Sequence, residues 1–328
     1  MAGYNEIRGL RVKYLSADPS NAENGQVWYN STTGNLRVEG IGVGAWASGG
    51  NLPTPVSSVQ GAGIQTAALS ISGQPSAPGV AATTATNEYD GSSWTAGGSL
   101  AAGAASYGGQ SANKGSQTAA LYWKGYNSTP APAGMRDTVS SYNGSSWTAQ
   151  PTLSGAGYGG GCGTQTAALS IGGSPATTTV NESDASYNWT TGGSLGTARY
   201  ASGSAGPQTA AITVAGLPGT IAKTESYNGS AWTSLTDIPT NTGAMKDQAF
   251  GTDSDDITVA GGPPNRSTCF QWNGTSWAAI PSLSTGRNGG SGAGASGNNG
   301  LIAGGQSPFK NATEEYTFAG QTKNITTS

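Results

Sequence analysis

Histidine is absent from this sequence of 328 residues, and charged side chains make up only 9% of it. Without imidazole groups, Ser-His-Asp and Cys-His catalysis and His-ligated zinc or copper sites are excluded. The two cysteines, Cys162 and Cys269, lie far apart and outside any Cys-x-x-Cys motif. We therefore expect no disulfide framework and interpret both as buried free thiols, with a disulfide between them as the open alternative.

Long apolar runs and basic clusters are also missing. No stretch of about 18 apolar residues is available for a membrane span, and the N-terminus lacks the apolar region of a signal peptide. The formal net charge is −3 without any basic run, which argues against a nucleic-acid partner. The glycine-rich stretch 157–161 is not followed by the Gly-Lys-Ser/Thr of a phosphate loop. We therefore expect no cofactor, no nucleic-acid partner and no membrane span.

What the chain does contain is two short units that recur in phase. The first reads Gln-Thr-Ala-Ala, then apolar residues and a glycine, at 64–73, 116–125, 164–173 and 207–216, with diverged copies at 254–262 and 300–305. The second reads aromatic-Asn/Asp-Gly-Ser-Ser-Trp-Thr, and its first aromatic position falls at Tyr89, Tyr142, Tyr187, Tyr227, Trp272 and Tyr316. Steps of about 45 residues between these positions fit one four-stranded propeller blade per repeat.

Each repeat can be assigned strand by strand. Asn-Gly or Asp-Gly between two aromatic residues predicts a tight hairpin, so Tyr142 should end one strand and Trp147 should begin the next. The Ala-Ala-Leu run predicts the strand before that hairpin. Stretches of small residues, such as 156–162, predict the innermost strand, because blades converge on the axis of a propeller. A disordered Gly/Ser linker would not repeat in phase with tryptophan.

One copy of the tryptophan unit stands outside the repeats. Residues 45–52 (AWASGGNL) match 93–100 (SWTAGGSL), whereas the sixth repeat ends without its tryptophan. We predict that Trp46 supplies the missing outer strand of the last blade and so closes the ring. The predicted fold is all-β: a six-bladed propeller over 45–328, closed by an N-terminal strand and preceded by a short β-rich segment over 1–44.

These repeats resemble the kelch family of β-propellers, which combine a small-residue strand, a strand ending in glycines, and a tyrosine and tryptophan about six positions apart. The match runs from about Trp46 to the end, with two departures. The double glycine is complete only at 172–173, 261–262 and 304–305, and the basic residue before the first strand remains only at Arg199, Lys246 and Arg287. The near-identical units also resemble propeller repeats in virion proteins of marine tailed phages, including cyanophages.

Residues 1–44 lie outside the repeat pattern. Residues 25–38 predict a β-hairpin, and 21–38 resemble short β-segments at the N-termini of phage fibre and appendage proteins. About 40 residues bury little core alone, so we interpret this segment as a docking module, with a small cap on the propeller as the alternative. If it docks, the contact residues would be Leu10, Val12, Tyr14 and Leu15.

Acidic residues are the remaining candidates for chemistry. By sequence, equivalent positions near the strand tyrosine are occupied by Glu88, Glu182, Glu225 and Glu315. Their recurrence from blade to blade indicates a structural role. The cluster Asp253, Asp255 and Asp256 interrupts its repeat and is interpreted as a solvated hairpin, with calcium binding through oxygen ligands as the alternative. We expect no catalytic residue and no metal site, although a carboxylate-based glycan hydrolase needs only two acids and stays a less favoured alternative.

Recognition is expected on the loops between the second and third strands of each blade, which vary most from repeat to repeat. Aromatic and arginine side chains suit sugar or protein surfaces. The candidate ligand-binding residues are Trp123, Tyr126, Arg136, Arg266, Phe309 and Lys310.

The phage resemblance implies a structural virion protein of a tailed bacteriophage. It would display the propeller on a tail fibre, a spike or the capsid surface, and attach to the host surface. Its expected partners are other virion proteins through the N-terminal segment, a host-surface glycan or protein, and further copies of itself. It would be located in the virion after assembly in the host cytoplasm. The alternative is a free carbohydrate-binding or protein-binding propeller.

Overall fold

The computed structural model describes residues 12–19, 26–75, 81–101, 110–111, 115–127, 134–155, 157–240, 248–306 and 308–324. Every regular element in these ranges is a β-strand, and none of them forms a helix. Within the described residues, the search for a helix long and apolar enough to cross a membrane finds none.

The strands are numbered in chain order. They are β1 (Lys13–Leu15), β2 (Val27–Asn30), β3 (Asn35–Ser48), β4 (Gln60–Ile64), β5 (Ala67–Ile71), β6 (Thr86–Tyr89), β7 (Trp94–Ala96), β8 (Gln110–Ser111), β9 (Ala120–Trp123), β10 (Tyr126–Asn127), β11 (Gly134–Met135), β12 (Val139–Tyr142), β13 (Trp147–Gln150), β14 (Gly160–Thr164), β15 (Ala167–Ile171), β16 (Val180–Ser183), β17 (Trp189–Thr191), β18 (Gly203–Ala205), β19 (Ala211–Val214), β20 (Thr224–Tyr227), β21 (Trp232–Ser234), β22 (Ala249–Asp253), β23 (Asp256–Ala260), β24 (Cys269–Trp272), β25 (Trp277–Ile280), β26 (Ser291–Ser296), β27 (Asn299–Ala303) and β28 (Thr313–Asn324).

The chain divides into two compact units. One comprises Met1–Ala45 with Phe318–Ser328, and the other comprises Trp46–Thr317. The larger unit holds five four-stranded antiparallel sheets. We call them the first (β4–β7), second (β8, β9, β12, β13), third (β14–β17), fourth (β18–β21) and fifth (β22–β25) sheets. In the sixth sheet β26, β27 and β28 are followed by β3, and the hairpin β10–β11 forms a separate pair.

The innermost strands of successive sheets pack on one another. Their order is β4, β8, β14, β18, β22 and β26, and β26 also packs on β4. Small residues permit this approach, because a Cβ added at Gly61 of β4 would lie 2.3 Å from the carbonyl oxygen of Gly292 in β26. Successive small antiparallel sheets with their first strands together give an all-β, propeller-like architecture.

Where a repeat contains the Gln-Thr-Ala-Ala motif, the glutamine joins its sheet to the one before it. The Gln165 side chain of the third sheet donates to the backbone oxygens of Ala120 and Tyr142 in the second, at 3.1 and 2.7 Å. Gln117 makes the same pair of bonds to the first sheet, and Gln208 makes it to the third. The motif therefore recurs because its glutamine satisfies backbone acceptors between sheets.

Tyrosines and glutamates form a second set of links between sheets. The hydroxyl of Tyr142 donates to Glu88 of the preceding sheet at 2.6 Å, and Tyr227 and Tyr89 donate in the same way to Glu182 and Glu315. Burial, and then the bond to Glu88, raise the pKa of Tyr142. Glu225 is not equivalent to these residues, contrary to the sequence-based expectation. It lies opposite Thr213 and is matched by Glu314, which lies opposite Ile302.

The third repeat also departs from the predicted hairpin. Ser183 lies opposite Trp189, as Tyr142 lies opposite Trp147, so Ser183 holds the strand-end position. Tyr187, which the sequence placed there, lies in the turn with a φ of +61°. The turn tolerates this because Asp184 accepts hydrogen bonds from the backbone of Ser186 and Asn188.

Trp46 makes the contacts of an outer-strand tryptophan. Its ring packs against Tyr316 at 5.1 Å between centroids, as Trp147 packs against Tyr142 at 4.8 Å. Its indole N–H donates to the carbonyl oxygen of Pro281, four residues after Trp277, at 2.8 Å. The indole of Trp277 donates to Thr236, four residues after Trp232, at 3.1 Å. The two tryptophans thus occupy corresponding positions.

The backbone after Trp46 follows the same pattern. Gly49 N–H donates to Thr313 and Leu52 N–H to Asn311, at 3.0 and 2.7 Å. In the first repeat, Gly97 and Leu100 donate to Thr86 and Thr84 at 2.9 Å each. Residues 46–52 therefore lie beside β28 in the same way that β7 and the residues after it lie beside β6.

Two consecutive residues with positive φ follow the second strand of each of the six sheets. The first of the two is Ser72, Lys124, Gly172, Ala215, Gly261 or Gly304. Side chains are accepted at three of these positions, so positive φ alone does not require glycine. Gly172 is different, because a Cβ there would lie 2.3 Å from the carbonyl oxygen of Arg199.

We therefore predict that Gly172→Ala lowers the free energy of unfolding by about 2–3 kcal/mol, through contact with the next sheet. Chemical denaturation measures the change. Ser72→Gly serves as the control and should change stability by less than about 1 kcal/mol, since φ there is already positive. Equal effects of the two substitutions would contradict the steric explanation.

The terminal unit is organised around one carboxylate. Asp18 accepts hydrogen bonds from the side chains of Asn30 and Trp28 at 2.8 Å each, and forms an ion pair with Arg37 at 2.7 Å. The bonds from Asn30 and Trp28 hold the pKa of Asp18 below its usual value. Trp28 is completely buried, and β2 pairs antiparallel with β3 as the predicted hairpin.

Candidate functional site

Two predicted contact residues, Tyr126 and Arg136, lie together on the loop of the second sheet. Tyr126 in β10 pairs with Met135 in β11, and the backbone N–H of Arg136 donates to Gly125 at 2.9 Å. Both side chains are half-buried, while Met135 is exposed. This hairpin follows directly after Lys124, which places both predicted residues beside the turn described below.

Trp123 was expected on a ligand-binding surface, but the structure places it inside the larger unit. Its side chain has no exposed area, and its ring packs against Trp189 of the third sheet at 5.3 Å between centroids. It belongs to the packing between the second and third sheets. Trp123 is the last residue of β9, and sequence alone did not show which way the side chain at a strand end points.

The other three predicted residues lie elsewhere in the larger unit. The Arg266 guanidinium donates to the hydroxyl of Thr240 at 3.3 Å. Phe309 and Lys310 are half-buried in the loop between β27 and β28. The carbonyl oxygen of Lys310 accepts a bond from Val56 at 3.0 Å. Arg266 thus belongs to the loop of the fifth sheet, apart from the other two.

A polar cleft lies between the second and third sheets, beside the Tyr126–Arg136 hairpin. Its volume is about 170 Å³, and its lining comes from both sheets. The second sheet and the segment after it contribute Lys124, Ser154 and Gly155. The third sheet contributes Gly172, Thr177, Thr179 and Asn181. Hydroxyl, amide and ammonium groups therefore surround the space.

Lys124 is the ionised group of this lining. It is 1% exposed and occupies the first positive-φ position after β9, with φ of +57°. Burial lowers the pKa of Lys124 to about 8, and the negative charge of the exposed Asp137 partly opposes that shift. The sequence showed this lysine only as a departure from the double glycine, so its role as a buried cation was missed.

The fourth and sixth sheets show what fills the corresponding space elsewhere. Arg287 forms a buried ion pair with Glu314 and donates to the carbonyl oxygens of Gly304 and Ala312, at 3.1 and 2.8 Å. Arg199 pairs in the same way with Glu225 and donates to Ala215 and Lys223. Desolvation lowers the pKa of both arginines, and the paired carboxylates oppose that shift. These two arginines are two of the basic residues noted before the first strand of a repeat, whereas Lys246 lies outside the described residues.

The third repeat lacks both members of that pair in its sequence. Arg287 stands four residues before Ser291, where β26 begins, and Arg199 stands four residues before Gly203, where β18 begins. In the third repeat, the residue four positions before Gly160, where β14 begins, is alanine at position 156. Residue 156 itself lies outside the described ranges. The position of Glu314 and Glu225 is taken by Asn181, which lies opposite Ser170. Gly172, Thr179 and Asn181, which line the cleft, correspond to the groups that hold Arg287.

A second cavity, of about 270 Å³, lies against the outer part of the second sheet. Its lining is mainly apolar and consists of Ala101, Thr138, Val139, Ser140, Trp147, Ala149, Gln150 and Thr152. The indole N–H of Trp147 already donates to the hydroxyl of Thr86 at 2.8 Å. Trp147 was expected only as a strand residue, and this cavity has no counterpart in the sequence-based analysis.

The predicted acidic cluster is used internally. The Asp253 carboxylate accepts a bond from the backbone of Asp255 at 2.9 Å. The Asp256 carboxylate accepts from the backbone of Gly297 and the hydroxyl of Thr252, at 2.7 and 2.9 Å. Among the described residues, no three acidic or cysteine side chains are grouped so as to hold a metal ion. Cys162 and Cys269 are both buried, and neither forms a disulfide.

Comparison with known proteins gives the fold alone. No protein-family model matches the chain, and no curated protein does. Solved structures do match, and one of them is the structure of YjhT, with a TM-score of 0.65 and 14% sequence identity over 84% of this chain and 99% of that one. At this identity the likeness supports the propeller-like, all-β architecture and says nothing about activity.

Proposed function

We propose that the larger unit is a six-bladed, kelch-like propeller whose ring is closed by residues 46–52. The main support is that Trp46 packs on Tyr316 as Trp147 packs on Tyr142 of its own repeat, and donates to Pro281 as Trp277 donates to Thr236 of the preceding repeat. Gln65 adds a further link, because it donates to Tyr316 of the sixth sheet at 3.1 Å, as Gln165 donates to the second sheet.

We further propose that the chain is a structural virion protein of a tailed phage, displaying this propeller on the particle for attachment to the host surface. The observation that supports this proposal is that residues from both ends of the sequence form one compact unit, distinct from the unit that contains the repeats. A compact unit outside the repeats suits docking. The repeat units and residues 21–38, which resemble phage virion proteins, support the same proposal.

The terminal unit offers a specific docking surface. Tyr14 and Val12 are 74% and 49% exposed, large values for apolar side chains, and Tyr14 stacks on Tyr29 at 5.0 Å. Leu15 is half-buried and its carbonyl oxygen accepts a bond from Ser31 at 2.8 Å. Leu10 lies outside the described residues. Val12 and Tyr14 are therefore the contact residues that we propose for docking on other virion proteins.

A binding role without catalysis fits the use of the acidic residues. Glu88, Glu182 and Glu315 are engaged by tyrosines, and Glu225 and Glu314 are engaged by arginines. The competing proposal is a free carbohydrate-binding or protein-binding propeller, which the cleft beside Lys124 would serve equally well. The two proposals differ in whether the protein is found on particles.

Particle association of a docking variant distinguishes them. We expect the double substitution Val12→Ser and Tyr14→Ser to remove the protein from purified particles, because it removes the exposed apolar contact while leaving the bonds to Asp18 in place. Ile64→Ser is the matched control, since Ile64 is an exposed apolar residue of the larger unit. Immunoblotting of gradient-purified particles measures the amount bound.

Retention of the double variant on particles would reject these residues as the docking contact. If the wild-type protein is itself missing from particles, the virion proposal falls and the free propeller becomes the better account. Circular dichroism of each purified variant checks that the β-structure is unchanged.

A further inference from the structure

We propose that the loops between the second and third strands of the sheets form a cationic surface that binds an acidic polysaccharide. Its contact residues would be Arg136, Arg266 and Lys310. This inference deepens the attachment role proposed above and rests on it, because it names the chemical class of the host-surface partner. Its basis is the uneven division of charge between the two ends of the sheets.

The sheets of the larger unit have two distinct ends. In each of the first five sheets, hairpins join the first strand to the second and the third to the fourth at one end, which we call the turn end. The loop from the second strand to the third lies at the other end, which we call the loop end. Like ends adjoin in successive sheets. Gln165 links two turn ends, as described above, and Gly173 N–H donates to the carbonyl oxygen of Arg199 between two loop ends, at 3.0 Å.

Acidic side chains occupy the turn end. Asp90 and Asp184 are exposed in the hairpins between third and fourth strands, and Asp253 and Asp255 lie in the hairpin between β22 and β23. The three glutamates that accept from tyrosine hydroxyls lie next to the same end. Among the described residues of the larger unit, no lysine or arginine lies there, and Lys114, which precedes β9, is outside the described ranges.

The lysines and arginines that the structure describes in the larger unit all lie at the loop end. Each stands either just before an inner strand or in the loop between the second and third strands. Arg199, Arg287 and Lys223 form ion pairs with carboxylates at that end. Lys124 interacts with the charge of Asp137. These four cations are therefore balanced by acids of the same loops and connections.

Arg136, Arg266 and Lys310 are cations in excess of those acids. None of them belongs to an ion pair within the described part of the chain. Each is half-buried, and they come from the loops of the second, fifth and sixth sheets. Tyr126 lies in the same loop as Arg136, and Phe309 directly precedes Lys310. Aromatic rings beside cations suit a sugar that carries a carboxylate.

The distribution of these cations favours a polymer with repeated negative charges. They lie on three different loops, so a chain with many carboxylates can reach each of them, whereas a single small anion would need them on one loop. The sequence has no basic run and a net charge of −3, which does not suit the dense phosphate charge of a nucleic acid. The acidic turn end would be repelled by the same polymer, so that the loop end faces it.

Surface plasmon resonance of the purified full-length protein on immobilised alginate, a polymer of uronic acids, tests the inference. We expect alginate to bind at least about tenfold more tightly than neutral dextran at low salt. Binding should weaken as sodium chloride is added, because exposed charges are screened beyond about 10 Å at 0.1 M salt. Equal binding to the two polymers, or no binding to alginate, would overturn the inference. Tighter binding to double-stranded DNA or to phosphatidylglycerol vesicles would also overturn it, since the partner would then be another class of anion.

A triple variant locates the contact. Arg136→Gln, Arg266→Gln and Lys310→Gln together should weaken alginate binding by about tenfold or more, the loss expected for three exposed ion pairs. Circular dichroism checks that the variant folds. If it does not, Arg136→Gln and Lys310→Gln should each weaken binding by about threefold on their own. Unchanged binding in the folded variants would reject the loop end as the contact.

The matched control changes the net charge by the same amount at the turn end. It combines Asn143→Asp, Asn228→Asp and Asn273→Asp, three exposed hairpin positions. Aspartate is accepted there, because Asp90 holds this place in the first repeat and accepts the same two backbone hydrogen bonds as Asn143. We expect alginate binding to change by less than about twofold. An equal loss in both triple variants would mean that net charge alone governs binding, and would contradict a specific surface.

The failure of this inference and of the attachment proposal can be told apart. Particles that carry the protein and adsorb equally well with the wild type and with the loop-end triple variant would reject the acidic-polysaccharide partner and leave the virion role intact. Alginate binding that depends on these three cations, by a protein missing from particles, would support the partner and reject the virion role.

Discussion

Replacement of Arg287 by methionine is expected to lower the free energy of unfolding by about 3–5 kcal/mol. The guanidinium has no exposed surface and donates to Gly304 and Ala312 as well as to Glu314. Methionine fills much of the same volume, so the loss comes from leaving Glu314 and two carbonyl oxygens buried without their cation. Urea denaturation followed by tryptophan fluorescence gives the change.

The double variant Arg287→Met with Glu314→Leu is the control for this prediction. Removing both charges should restore much of the loss, because an apolar pair of similar volume carries no desolvation cost. If Arg287→Met alone lowered the free energy of unfolding by less than about 1 kcal/mol, the ion pair would be solvated in solution.

The repeat pattern predicted the strands well, because each motif has a local physical meaning. Asn143 and Gly144 sit between Tyr142 and Trp147, and the Asn143 side chain accepts hydrogen bonds from the backbone of Ser145 and Ser146. Turn residues, alternating strand residues and a regular period all concern neighbours in sequence. These features are sufficient for the all-β, propeller-like architecture.

Features that depend on contact between sheets were harder to predict. Tyr187 was placed in a strand because Asn188 and Trp189 follow it as a shortened copy of the motif, but the turn of the third repeat holds it outside the strand. Trp123 looked like a loop aromatic and is buried against Trp189. The cleft is lined by residues of two successive repeats, among them Lys124 of one and Asn181 of the next. No local pattern contains that information.

The scarcity of charge now has a structural explanation. Several of the few ionised groups lie between or within sheets, where Glu88 receives a tyrosine hydroxyl and Glu225 receives an arginine. Backbone oxygens between sheets are satisfied by neutral glutamines such as Gln165. Neutral amides avoid the desolvation cost of an ion at each of these places.

Trp46→Ala is expected to lower the free energy of unfolding by about 2–3 kcal/mol, an unusually large loss so near the N-terminus. The substitution removes the packing on Tyr316, the ring contact with Phe250 at 6.3 Å and the bond to Pro281. A loss of this size is expected only if residues 46–52 close the ring, because a tryptophan in an unattached N-terminal segment would contribute almost nothing to stability. Denaturation monitored by circular dichroism avoids the loss of fluorescence that removal of a tryptophan causes.

Trp277→Ala is the matched control, since Trp277 makes the corresponding bond in the fifth sheet, to Thr236. If residues 46–52 close the ring, the two substitutions should have similar effects, although Trp46 is separated from its sheet partner Tyr316 by most of the chain. A loss below about 1 kcal/mol for Trp46→Ala beside a large loss for Trp277→Ala would reject closure by this segment. Comparable losses would mean that the first residues of the larger unit and its last strand hold each other in place, so that neither end of the ring is stable without the other.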